Sequence, residues 1–129
     1  TFVFSSVEFN HAGIEGSLRY NRRRYQYTQK QMWQMVYGMV PQLMLNKVRY
    51  GRFLDVLVTH AAPKGIHDED DPAHQGIDAF RWLIENFSPS LHLHGHIHLY
   101  NPLKPRETML GETRVINCYG HREVSLVTD

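Results

Sequence analysis

The sequence predicts an α/β layered fold whose later strands are mostly antiparallel. Three features of the 129 residues carry that expectation. Apolar runs rich in β-branched and aromatic residues, TFVFSSVEF and FLDVLVTH, alternate with two stretches of helical apolar period, and several short strand-like runs follow. A hydrophobic share of 42% with 21% charged residues supplies a core and excludes a disordered chain. The length suits residues 1–129 as one domain or part of one.

TFVFSSVEF, residues 1–9, reads as a strand running into a turn over the glycine-rich NHAGIEGS. LRYNRRRYQY then interleaves four arginines with three tyrosines. Thr28 and Gln31 are spaced as a capping box, so a helix should begin there. Met32, Met35, Val36, Met39, Val40, Leu43 and Met44 form its buried stripe, with Pro41 expected to kink it. FLDVLVTH is a buried strand that ends at His60, and loops beyond strand C-termini are where α/β folds build sites. Past the acidic loop IHDEDDPAHQG, the spacing of Ile77, Phe80, Leu83, Ile84 and Phe87 predicts a second helix stopped at Ser88-Pro89. LHLHGHIHLY is strand-like, and the segment from Glu107 to Asp129 reads as a hairpin turning at Gly111-Glu112 plus a further strand.

Charge excludes some functions. Fourteen basic and thirteen acidic side chains leave a net +1, without the global field that draws a chain onto nucleic acid or anionic lipid. The single cysteine, Cys118, forms no internal disulfide and is expected to be buried. No signal-peptide pattern or run of about 18 apolar residues occurs, so a cytoplasmic setting without membrane contact is expected.

Nine histidines are the anomaly, five of them at positions 60, 92, 94, 96 and 98. On one straight strand His92, His94, His96 and His98 would share a face. Six strand residues span roughly 20 Å, however, so His92 and His98 cannot serve one centre. Gly95, lacking a Cβ, is expected to let the backbone bend so that His96 and His98 approach metals. His60, at the mouth of another strand, is the third ligand candidate. Three neutral imidazoles suit Zn²⁺, Mn²⁺ or Fe²⁺. His92 and His94 are expected to support the ligands by hydrogen bonding from behind.

VLVTHAAPKGIHD and LHLHGHIH together resemble the C-terminal metal-binding motifs T-H-x-P and G-H-x-H of the calcineurin-like metallophosphoesterases. GIEGSLRYN, QYT, HDEDDPAHQGIDAFRW and TRVINCYGHRE extend the likeness to almost the whole chain. The resemblance implies one half of an αββα sandwich. It also implies a hydrolase of phosphodiesters or phosphomonoesters that uses a metal-activated hydroxide. His60 and His96 would bind one metal and His98 the other.

The family's N-terminal D-x-H, G-D-x-x-D and G-N-H-D/E motifs are absent between Thr1 and His60; FNHAG is a superficial echo, with Phe9 and Ala12 in place of glycine and acid. The chain therefore reads as a C-terminal half, completed by a missing N-terminal half or by self-association. It has no assignable leaving-group acid. Two dications about 4 Å apart need anionic ligands between them, and three neutral histidines provide none.

Further candidates flank these motifs. Asp68, Glu69, Asp70 and Asp71 lack calcium-loop spacing and read as a solvated loop, with Asp71 and His74 as a cleft wall by family likeness. Arg19 and Arg22 are candidates for gripping phosphate, and the arginine–tyrosine run also suits single-stranded nucleic acid.

Overall fold

The computed structural model describes residues 1–99, 103–120 and 123–125. The predicted first helix, α1, spans Gln29–Tyr50 and starts as its residues dictate. Thr28 Oγ1 accepts from the Gln31 N–H at 3.1 Å, and the Gln31 side chain accepts from the Thr28 N–H at 2.8 Å. Met32, Val36, Met39 and Leu43 are buried, and the helix runs on through Pro41 to a left-handed cap at Gly51. Met44, assigned to the stripe by its spacing, is 52% exposed: it lies one position past the buried arc. The second helix, α2, spans Asp78–Phe87 and buries Phe80, Leu83, Ile84 and Phe87. Each such side chain contributes about 1.5–3 kcal/mol on burial.

Among the described residues, eight strands accompany them. β1 (Phe2–Phe4), β2 (His11–Ile14), β5 (Val56–Thr59), β6 (Leu91–His94), β7 (Glu107–Leu110) and β8 (Thr113–Asn117) form one sheet in the order β1-β2-β5-β6-β8-β7. β3 (Ser17–Leu18) and β4 (Gln26–Tyr27) make a separate parallel pair. The four central strands β2, β5, β6 and β8 are parallel, and only the edge strands β1 and β7 run antiparallel.

The expectation of a mostly antiparallel second part is thereby corrected. The β7–β8 hairpin forms with its turn at Gly111-Glu112, but β8 docks parallel beside β6, so only the hairpin's outer strand is antiparallel. The further strand expected after it does not form at Glu123–Ser125, and its remaining residues lie outside the described ones. At the other end, the expected first strand is only Phe2–Phe4, and the segment taken for a turn contains β2. Cys118 is half-buried rather than buried.

Register gives the sheet two different faces. Ala12, Leu57, His92 and Val115 align across the four parallel strands, and the three apolar members join one core cluster with Met32, Val36, Phe80 and Leu83 of the helices. The opposite face carries the row Phe2, Gly13, Val58, Leu93, Ile116, along which Phe2 and Val58 are 54% and 43% exposed. Among the described residues, no helix is long and apolar enough to cross a membrane.

Candidate functional site

β5 and β6 are parallel neighbours, so their C-terminal ends meet on one edge of the sheet. His60 follows β5 directly, and His96 follows β6 by two residues. Gly95 N–H donates to the His60 carbonyl at 3.1 Å, stitching the two strand ends together. The histidine stretch is thus no continuous strand: β6 stops at His94, and His96 turns back with a φ of 65°. The bend expected at Gly95 sits on His96 instead, in a left-handed conformation that histidine enters more readily than most residues.

The outcome is a close pair. His60 Nε2 and His96 Nδ1 are 2.9 Å apart, and His96 Nε2 lies 2.6 Å from the Ala73 carbonyl. A carbonyl only accepts, so His96 carries its proton on Nε2 and, when neutral, turns the Nδ1 lone pair toward His60. A ligand imidazole anchored through its other N–H is the usual arrangement behind a metal. Two nitrogens bound to one tetrahedral zinc stand about 3.3 Å apart, within a few tenths of an ångström of this contact. Burial, and then the neighbouring His96, lower the pKa of His60, which favours the neutral form that a metal requires. His98 is exposed and stacks on Tyr119 with ring centroids 4.8 Å apart.

His92 and His94 lie behind this pair, on the helix-facing side of the sheet, and both are fully buried. His94 Nδ1–H donates to the Gly95 carbonyl at 3.1 Å, leaving Nε2 to accept from His67 Nδ1–H at 2.9 Å. His67 Nε2 in turn accepts from the Thr108 hydroxyl at 2.7 Å. Burial lowers the pKa of His94 to about 4 and, against the pull of Asp68, also lowers that of His67, so both rings are neutral. Their chain ties the loop after β5 to the sheet. His67, missed in sequence, adopts a φ of 59°, and no spacing motif marks it.

That loop is closed at its neck by Ile77 N–H donating to the Ala62 carbonyl at 2.9 Å. Its tip gathers Glu69, Asp71 and His74, whose ligand atoms all lie within 4.8 Å of one another. His74 Nδ1–H donates to Asp71 at 2.8 Å, and its ring lies against that of His96 with centroids 5.0 Å apart and planes tilted by 36°. Desolvation pushes the Asp71 carboxyl up, but the hydrogen bond and charge of His74, with backbone N–H groups, outweigh it and hold the group below its usual range. Neither Asp71 nor His74, expected as a cleft wall, lines the cleft that faces the histidine pair. With Glu69 they form a grouping able to hold a cation beside the histidine pair.

Facing His60 and His96 is a cleft of about 580 Å³ lined by Tyr20, Arg23, Arg24 and Tyr25. The arginine segment does meet the histidines, but through different residues from those expected. Arg19 is turned back to donate to the Gln26 carbonyl at 3.4 Å, and neither it nor Arg22 lines the cleft.

No family model and no curated protein matches this chain. A solved crystal structure does, with a TM-score of 0.56 and 17% identity, over 92% of this chain and 44% of that one. A likeness at that identity bears on the fold alone, and the chain spans less than half the length of that structure.

Proposed function

We propose that this chain contributes one half of a calcineurin-like metallophosphoesterase, with its six-stranded sheet as one layer of the αββα sandwich. On this reading it is a metal-dependent hydrolase of phosphodiesters or phosphomonoesters. The observation that supports it best is the 2.9 Å pairing of His60 Nε2 with His96 Nδ1 at adjacent strand ends, with the second nitrogen of His96 already anchored on Ala73.

The donor set fits a divalent ion such as Mn²⁺, Fe²⁺ or Zn²⁺. His60 and His96 would hold it, with Glu69 and Asp71 supplying nearby negative charge, and His98 would serve a second ion. When bound, the metal supplies Lewis acidity toward phosphoryl oxygens and activation of water. Arg23 and Arg24 attract the phosphate into the cleft, and Ala73 keeps His96 in its ligand orientation.

The test pairs Mn²⁺ titration with hydrolysis of a chromogenic phosphodiester. The wild-type chain should bind the ion, and His96→Ala should lose at least tenfold in affinity and any accompanying turnover. Equal metal affinity in the two proteins would overturn the assignment. Metal binding without turnover would favour a second reading, a non-catalytic half-domain that self-associates, which the exposed sheet face around Phe2, Phe4 and Val58 supports.

A further inference from the structure

The wall opposite the histidines carries chemistry that phosphate recognition alone does not use. Tyr20 and Tyr25 are 47% and 62% exposed, yet both line the cleft beside Arg23 and Arg24. The presentation is built rather than loose. The buried Gln26 accepts through Oε1 from the Tyr20 and Asn21 N–H groups at 3.3 and 3.1 Å, and the Tyr25 carbonyl accepts from Ser17 N–H at 3.1 Å. Tyr25 is held at a φ of 60°. A bulky side chain adopts that conformation only when its surroundings impose it, and such strain collects at ligand clamps.

The space and charge agree with those rings. The cleft, at about 580 Å³, exceeds what a bare phosphate fills and falls among pockets for larger ligands. Neither the Arg23 nor the Arg24 guanidinium pairs with a carboxylate among the described residues, leaving both for an anion. Glu15, on the same wall, accepts from the Tyr27 hydroxyl through Oε1 at 3.0 Å, which leaves Oε2 to accept from a sugar hydroxyl. We propose that the cleft binds a nucleoside phosphate, its base stacked on Tyr20 and Tyr25 and its phosphate between the two arginines and the histidine pair. The inference rests on the phosphoesterase reading for its phosphate and goes beyond it in the leaving group.

The deciding experiment is calorimetric titration of the full chain, in chelator and without metal, with adenosine monophosphate and with ribose phosphate. Base stacking predicts that the nucleotide binds at least fivefold more tightly. Tyr20→Ala and Tyr25→Ala should each reduce that preference, whereas Tyr25→Phe, which keeps the ring, should retain it. Equal affinity for the two ligands, or a preference that survives both alanine changes in chains with wild-type circular dichroism, would overturn the inference. The titration needs neither metal nor turnover, so its result is independent of the hydrolytic reading. Nucleotide preference with no loss of metal affinity in His96→Ala would sink only the enzyme assignment. Metal-dependent hydrolysis with no base preference would sink only this one.

Discussion

His92 Nε2 lies 2.7 Å from Thr59 Oγ1, which lies 2.7 Å from the carbonyl oxygen of Ala61. The carbonyl can only accept, so the Thr59 hydroxyl donates to it and receives the Nε2–H of His92. A fully buried imidazole thereby fixes the residues on both sides of His60. Thr59→Val keeps the shape but strands a buried N–H, which costs about 1–3 kcal/mol. Urea denaturation of the metal-free chain should show that loss, and Mn²⁺ affinity should fall by about 10–100-fold, as it does when support behind a ligand is removed. Wild-type stability in the variant would show that His92 does not brace this loop.

Acid should unfold the chain earlier than its net charge suggests. Burial holds His94 at about 4, against the pull of the Gly95 carbonyl and with a smaller push from His67, whereas an unfolded histidine titrates at 6.5. Between those values the unfolded chain takes up a proton that the folded chain refuses. Stability is therefore full above the higher value and is lost as pH falls toward the lower one, by roughly 3 kcal/mol for this group. His92, whose pKa burial also lowers, pulls in the same direction. The urea midpoint in chelator should drop steeply between about pH 6.5 and pH 4.5, and His94→Gln should flatten the slope. A midpoint constant across that range would contradict neutral burial of these rings.

Gly95 shows how far the sequence could be read. The alternation of four histidines was plain, and so was the need for a break at the glycine. Alternation alone could not say that the chain would reverse at His96, because the reversal depends on Gly95 N–H reaching the His60 carbonyl, 35 residues earlier in the chain. A Cβ added at Gly95 meets only that carbonyl, at 4.0 Å. Gly95→Ala should accordingly be neutral or stabilise by up to about 1 kcal/mol through the unfolded chain. A thermal midpoint well below wild type would return the bend to the glycine.

What sequence periodicity did reveal is local. The capping box of α1 and the turn at Gly111-Glu112 are satisfied within a few residues, so their signals survive whatever packs around them. β2 was hidden because His11–Ile14 is glycine-containing and turn-like in isolation. It becomes a strand by pairing with Val56–Thr59 and Phe2–Phe4 on its two sides. The cleft was hidden for a similar reason. The arginines that line it with the histidines are Arg23 and Arg24, not Arg19 and Arg22, and that choice follows the pairing of β3 with β4 rather than any spacing in the sequence.

The exposed part of the sheet face, at β1 and β5, makes the last prediction. Phe2, Phe4 and Phe9 gather around His11 at the edge of the sheet, with the Phe4 ring stacked on the imidazole at 4.9 Å, and both Phe2 and Phe4 remain 54% exposed. β1 is an edge strand, with one row of backbone groups unpaired within the sheet. An apolar face beside an open edge draws a partner because burial returns roughly 25 cal/mol per Å². Sedimentation should therefore show an average mass that rises with concentration. Phe4→Glu places a charge on that face without touching His60 or His96, so it should reduce the association and leave Mn²⁺ affinity unchanged. A chain that stays monomeric at every concentration would show that this face is tolerated bare, and a Phe4→Glu chain that also lost metal would show that association helps to build the site.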